Sequence, residues 1–363
     1  MSEINENLLI TTSIDLLYDG MVVQDDIFDS SGDRLLVKNG TIINDIQIER
    51  IKRLNSGDDR IYVTGRTHKA MLSKRPDIDI KSRREVEETS GYVRFKDETV
   101  KRLEEIAAKQ SVDMESLQIF SDELAFHLES TPPDIIIFLL NAMAPVDEYL
   151  QRHSVNVGLL NGMIGHWMGM SKENADRLVL IGLLHDCGKI LMPRKILNAA
   201  RKLTTVEYEV IKKHSAHTYD LMSEFPDAVR LAASNHHERL NGVGYTHNLS
   251  DNNISLEARI TAVSDSYDAM VSQRSYKGPQ SPFSVLAQLD KMSSIGFDRE
   301  VVHTLVDNMP QELVDKPVMM SNGTIGVVNE YHPNDIEFPM VDLGGKVIKT
   351  DSDLYVISMF NDD

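Results

Sequence analysis

Short apolar runs alternate with turn residues over the first part of the chain. VVQ (22–24), LLV (35–37) and TII (41–43) are separated by Ser30-Ser31-Gly32-Asp33 and by Asn39-Gly40. Asn-Gly between apolar runs is a hairpin signal, because both central residues of the tight turn need positive φ. A short helix over roughly 44–54 and the strand RIYVT (60–64) complete a small α+β module. From 97 to about 305 the apolar spacing becomes three and four residues. It does so in VKRLEEIAA (100–108), 114–129, DIIIFLLNAM (134–143) and VDEYLQRHSVNVGLLNGMIGHWMGM (146–170), which predicts helices with one buried face. Ser171 is placed to cap the next helix, with Glu173 and Asp176 near its positive end, and Pro132-Pro133 and Pro193 are breaks. After 316 strand spacing returns in TIGVVNEY (324–331), PMVDL (339–343), KVIKT (346–350) and LYVISMF (354–360). The predicted fold is multidomain and mainly α. Residues 1–65 form an N-terminal α+β module, 66–96 a linker, 97–310 an all-helical domain and 311–363 a C-terminal β-rich module.

Composition sharpens this in three ways. With 38 Lys+Arg against 56 Asp+Glu the formal charge is −18, which argues against duplex nucleic acid as a partner. The basic residues Arg66, Lys69, Lys74, Arg75, Lys81, Arg83 and Arg84 lack interleaved aromatics and read as a solvated linker. No basic segment followed by an apolar run opens the chain, and no apolar run approaches membrane-spanning length. A cytoplasmic protein with no membrane association is expected. The single Cys187 excludes a disulfide framework and a cysteine-rich zinc module. Against this background, eight of the twelve histidines fall between 153 and 247. Histidine is the commonest metal ligand and the usual proton shuttle near neutral pH.

The chemistry centres on LLHDCGK (183–189), where an apolar helix ends in the pair His185-Asp186. A buried charge there needs compensation. Upstream lies His153; downstream come His214, the adjacent His236 and His237, and Asp265 in ITAVSDSYDAM. Imidazoles and carboxylates presented from several helices suit two or more borderline metals such as iron, manganese or zinc. His68, His127, His166, His217, His247, His303 and His332 are expected to stay outside the cluster.

The ordered blocks DEYLQRHSVNV, LLHDCGKILMPRKIL, KLTTVEYEVIKKH, HHERLNGVGY, ARITAVSDSYDAM and SQRSYKG resemble the HD-GYP domain, a subgroup of HD phosphohydrolases that hydrolyse cyclic di-GMP. The resemblance covers about 147–305, and the flanks look like the β modules that accompany some HD-GYP proteins. It implies metal ligands at His153, His185, Asp186, His214, His236, His237 and Asp265, and a phosphate-binding lysine at Lys189. It also implies a substrate contact from Tyr245, and for Arg274 and Lys277 either contact with the second phosphate or base or solvation of a loop. Glu238 is expected either to orient a ligand histidine or to form a surface ion pair with Arg239. Two divalent ions are implied, iron or manganese, because the position at which three-metal members carry a glutamate is Tyr149, with Glu148 one step away on the helix. The implied reaction opens cyclic di-GMP to linear pGpG through a binuclear, metal-activated hydroxide, with Asp186 and Lys189 as catalytic residues. The alternative is a receptor for cyclic di-GMP, or a protein that engages a GGDEF-type diguanylate cyclase, with little turnover. A homodimer is a further candidate state.

Departures from the family pattern fall around the substrate loop. The usual DGxGYP reads Asn241-Gly242-Val243-Gly244-Tyr245-Thr246. Thr218 replaces the glycine four residues after His214, and the PGKLT turn has become Ala200-Arg201-Lys202-Leu203-Thr204.

Overall fold

The computed structural model describes residues 90–141, 149–272 except 198, 200 and 202, and 280–360. It also describes residues 86–87 and short segments before 65, among them 9–13, 22–23, 26–28, 35–41 and 60–64. The chain divides into two compact units. The basic residues of the expected linker, the Ser30–Asp33 turn, Glu148, Arg274 and Lys277 lie outside the described residues.

In the first unit, β1 (Leu9–Ser13), β5 (Arg60–Thr64) and β2 (Val22–Val23) form an antiparallel sheet in the order β1-β5-β2, and β3 (Ile27–Phe28) pairs with β4 (Leu35–Val37). Asn39-Gly40 forms a turn, with Gly40 at φ 80°. Thr41 and Ile43, expected in a strand, are not in one. The unit also holds a five-stranded antiparallel sheet, β10-β6-β7-β8-β9, built from β6 (Pro317–Met320), β7 (Ile325–Glu330), β8 (Met340–Asp342), β9 (Val347–Lys349) and β10 (Val356–Met359). Strand β6 was not predicted. Its PVMM sequence has no alternation, because Val318 and Met320 are buried and Met319 is half-buried.

The second unit is helical and carries the chemistry. In chain order it contains α1 (Tyr92–Lys109), α2 (Met114–Ser130), α3 (Pro133–Asn141), α4 (Tyr149–Trp167), α5 (Lys172–Leu184), α6 (Arg194–Leu197), α7 (Thr205–Lys212), α8 (His214–Leu221), α9 (Asp227–Ser234), α10 (Leu256–Val271), α11 (Pro282–Met292) and α12 (Arg299–Glu312). The expected cap Ser171 accepts the Asn174 amide, and the structure adds Asp113 and Ser255 as caps accepting the Ser116 and Ala258 amides. Helix α1 begins at Tyr92, five residues before the expected boundary at 97. Among the described residues no helix is long and apolar enough to cross a membrane.

The central contact is α4 against α5, and it is set by glycine. A Cβ on Gly182 would lie 2.7 Å from the Gly158 Cα, nitrogen and the Val157 oxygen, so the two backbones touch directly. That close approach brings His153 on α4 beside His185 at the end of α5, with ring centroids 5.1 Å apart. A valine at 182 would have to push backbone away, costing on the order of 1–3 kcal/mol. Gly182→Val should lower the unfolding midpoint of the helical unit, followed through its single Trp167, and should reduce metal uptake with it. An unchanged midpoint would show that the helices do not need this contact.

Candidate metal centre

Each expected ligand is delivered by a different end or face of the helical frame. His153 lies on α4; His185 caps α5, and Asp186 follows it ahead of the short 3-10 turn Cys187–Leu191. His214 opens α8, His236 and His237 follow the end of α9, and Asp265 lies on α10. All seven converge. Ligand atoms of Asp186, His214, His236 and His237 lie within 4.8 Å of one another, as do those of His153, His185 and Asp265. His127, His166, His217, His247, His303 and His332 join neither group.

Asp186 faces both groups. Its Oδ2 is 3.4 Å from His153 Nε2 and 3.4 Å from His185 Nε2, and its Oδ1 is 3.2 Å from His214 Nε2 and 3.8 Å from His236 Nε2. Asp265 similarly turns Oδ1 toward His153 Nε2 at 3.2 Å and Oδ2 toward His237 Nδ1 at 4.0 Å. The Lys189 ammonium also pairs with Asp186 Oδ2.

Three of the histidines are oriented by the same local device. His185, His214 and His236 each direct Nδ1 at the carbonyl oxygen three residues earlier (Gly182, Ile211 and Ala233), all at 2.7 Å. A carbonyl only accepts, so Nδ1 carries the proton and the Nε2 lone pair points into the centre. His185 Nε2, His236 Nε2 and Asp186 Oδ1 are buried there without hydrogen-bond partners. Several lone pairs crowded together in a buried hole repel one another unless a cation lies among them. The donor set, all nitrogen and oxygen, fits divalent iron, manganese or zinc.

His153 is held differently. Its Nδ1 meets Asp268 Oδ2 at 2.7 Å, Asp268 Oδ1 accepts the Asn156 amide at 2.6 Å, and Asn156 Oδ1 accepts the Tyr92 hydroxyl. All four side chains are buried. Arg152 packs over the Tyr92 ring and pairs with Glu87 at 2.6 Å. A polar chain thus runs from the first residue of α1 to an expected metal ligand. Sequence reasoning missed Asp268, Asn156 and Tyr92. The available signal was spacing, since Asn156 and Asp268 each follow a ligand by three residues on its own helix face.

The departures from the family pattern acquire partners in the structure. Thr218 Oγ1 accepts the Gly188 amide at 3.0 Å and donates to the His185 carbonyl at 3.1 Å, tying the His-Asp turn to the helix that bears His214. The fit is tight: a Cβ on Gly188 would lie 2.1 Å from the His214 oxygen. Asn241 donates its amide to the Ile295 carbonyl and accepts from Val243 N; an aspartate could not donate. Thr204 and Glu207 form a capping box at α7, and Arg201 adds two hydrogen bonds to Glu207.

Glu238 corrects an expectation. Its carboxylate accepts the His247 and Leu249 amides at 2.5 and 3.0 Å, so it folds the 241–249 loop back rather than orienting a ligand imidazole. The loop is also tied by Tyr245 N to the His237 carbonyl, and a Cβ on Gly244 would lie 2.5 Å from the Glu238 Cα. Folding back stacks Tyr245 on His237, with centroids 4.6 Å apart and planes 29° apart. Cys187 is buried, and burial pushes its thiol up to about 12, which keeps it protonated.

The buried charges divide cleanly. Burial opposes ionisation of Asp186, but Lys189 and His185 hold its pKa well below the carboxylate range; burial likewise opposes ionisation of Asp265, which His153 and His237 hold down. Burial opposes the charged form of His153, yet Asp186, Asp265 and Asp268 hold its pKa well above 6.5. Burial and neighbouring imidazoles keep His236 and His237 well below 6.5.

This arrangement of helix-borne nitrogen and oxygen donors forms a buried, thiolate-free cluster that could hold metal ions. Residues 139–301 match the HD domain family. It is 33% identical over 190 residues to a cyclic di-GMP phosphodiesterase of Thermotoga maritima, covering 50% of this chain and 51% of that one. It is 29% identical over 235 residues to the cyclic di-GMP phosphodiesterase PA4108 of Pseudomonas aeruginosa, covering 64% and 56%. A 3'3'-cGAMP-specific phosphodiesterase 2 of Vibrio cholerae is 27% identical over 51% of this chain and 36% of its own length. The chain spans about half the length of the first two relatives. The solved HDG"Y"P protein Bd1817 of Bdellovibrio bacteriovorus shares the fold, at a TM-score of 0.50 and 14% identity over 83% of this chain and 99% of that one.

Two expectations follow. His153, raised in the folded chain, adds stability that is fully present below the unfolded value of 6.5 and is lost as pH rises through its folded pKa. His236 and His237, lowered, contribute above 6.5 and lose that contribution as pH falls through their folded values. Metal-free protein should therefore be most stable near pH 6.5, with urea midpoints by Trp167 fluorescence falling on both sides. A midpoint that rises steadily from pH 5.5 to 8 would contradict this assignment. Separately, Asn156→Ala breaks the chain that orients His153 and should weaken metal binding by about 10–100-fold in a competition titration. Wild-type affinity in that variant would show that Asp268 orients His153 without it.

Proposed function

We propose that this protein is a metal-dependent phosphodiesterase that opens cyclic di-GMP to linear pGpG at a binuclear centre. The observation that carries the reading is Asp186, whose two oxygens face two separate groups of imidazoles while Lys189 waits on the same carboxylate. The names of the Thermotoga and Pseudomonas relatives support the substrate.

His153, His185 and Asp265 would hold one ion and His214, His236 and His237 the other, with Asp186 shared. Iron or manganese bound there supplies Lewis-acid activation of water and neutralises charge on the phosphate. The chain's own residues do the rest. The buried frame fixes the donor atoms before substrate arrives, so little reorganisation is needed when charge develops. Lys189, about one-quarter exposed at its side chain, presents a mobile ammonium to a non-bridging phosphate oxygen. Hydrolysis adds one water across one phosphodiester: a new P–O bond forms, the P–O3′ bond breaks, and the 3′ oxygen leaves with a proton. Tyr245, stacked on His237, would contact the substrate. Arg274 and Lys277 remain candidates for the second phosphate. The net charge of −18 is offset locally by the ions and Lys189.

Protein purified without chelator should carry about two ions per chain and release pGpG from cyclic di-GMP with Mn(II) or Fe(II). Asp186→Ala should abolish product and lose metal. Tight binding of cyclic di-GMP without product, in a fully loaded sample, would replace the enzyme with a receptor. Faster turnover of 3'3'-cGAMP in parallel assays would move the substrate, not the chemistry.

A further inference from the structure

Beside the metal centre, a set of rings leads outward. Tyr245 stacks on the ligand His237 and lies edge-on to His214, with centroids 6.4 Å apart. The Tyr208 ring meets Tyr245 edge-on, with centroids 6.4 Å apart and planes 83° apart. The Lys212 ammonium lies 5.6 Å from the Tyr208 ring centre and 5.7 Å from that of Tyr245, within reach of Glu209 at 2.6 Å.

Tyr208 has little structural reason to be there. It is 48% exposed, and α7 contributes no buried residue to the core. The helix is instead fixed at its start, by the Thr204–Glu207 capping box and by Arg201. An exposed ring on a short, firmly capped helix, edge-on to a second ring that touches a metal ligand, is a platform rather than packing. An aromatic face and an adjacent cation are what a nucleotide recognises, because every base has a π-face and every nucleotide an anionic phosphate.

We propose that Tyr208, Tyr245 and Lys212 form a purine-nucleotide subsite beside the metal centre, in which a guanine of the substrate stacks on Tyr208 and Lys212 faces the phosphate attached to it. The assignment rests on the phosphodiesterase reading and names where that substrate's base is held. Lys189 serves the phosphate at the metals; Lys212 serves the nucleotide held at Tyr208.

Tyr208→Ala should raise KM for cyclic di-GMP by about 5–100-fold, the range of one base–aromatic stack, with kcat and metal content unchanged. Tyr208→Trp should restore KM. Lys212→Met should also raise KM, with a difference from wild type that shrinks as salt is added. Unaltered KM in Tyr208→Ala, with wild-type turnover intact, would overturn the subsite and leave the enzyme reading standing. If metal-loaded wild type does not turn over cyclic di-GMP, the 5′-monophosphate of 2-aminopurine riboside decides separately. Fluorescence quenching by wild type that is lost in Tyr208→Ala supports the subsite, and equal quenching by both, or none by wild type, overturns it.

Discussion

The structure depends on keeping one carboxylate, Asp186, ionised where burial disfavours it. The cost of burying an anion is offset by the Lys189 ammonium and by His153, which face one oxygen, while His185, His214 and His236 turn toward the carboxylate the nitrogen atoms that would hold a cation. Nothing smaller than several helix ends could bring that many partners to one atom pair. The contact between α4 and α5, the turn at Cys187–Leu191 and the first residue of α8 are all arranged around it.

Two kinds of support hold the ligands, and they differ in what they link. Carbonyls three residues back orient His185, His214 and His236, so these rings are set by their own local backbone. His153 is set from afar, through Asp268, Asn156 and Tyr92. That half of the centre is therefore tied to the seating of α1. Thr218 joins the two kinds, bonding the His-Asp turn to α8. The 241–249 loop is held by Glu238 and Asn241 without the proline that usually follows its tyrosine, so the altered motif retains a fixed tyrosine by other bonds.

Much of this was legible in the chain because its periodicity is strong. The helices carrying His153, His185 and Asp265 follow from three- and four-residue spacing, and the caps at Ser171 and Asp113 agree with their residue types. The seven proposed ligands came from ordered motif blocks, and the structure brings all seven together. Strand β6 escaped because PVMM is too short and too uniformly apolar to show alternation. Glu238 was misread because adjacency to ligand histidines says nothing about which way a carboxylate turns, and here two loop amides claim it. Tyr92 could not be linked to His153 across 60 intervening positions without the fold. Thr218 looked like a lost glycine, whereas its hydroxyl supplies two bonds that a glycine lacks.

The central claim is that Asp186 is shared by two ions, and the electron spin resonance of Mn(II)-loaded protein tests it most directly. A carboxylate that touches both ions couples their spins, so wild type at full loading should show an exchange-coupled spectrum, which Asp186→Asn should convert to isolated Mn(II) at lower occupancy. An isolated, uncoupled Mn(II) spectrum from fully loaded wild type would contradict the account.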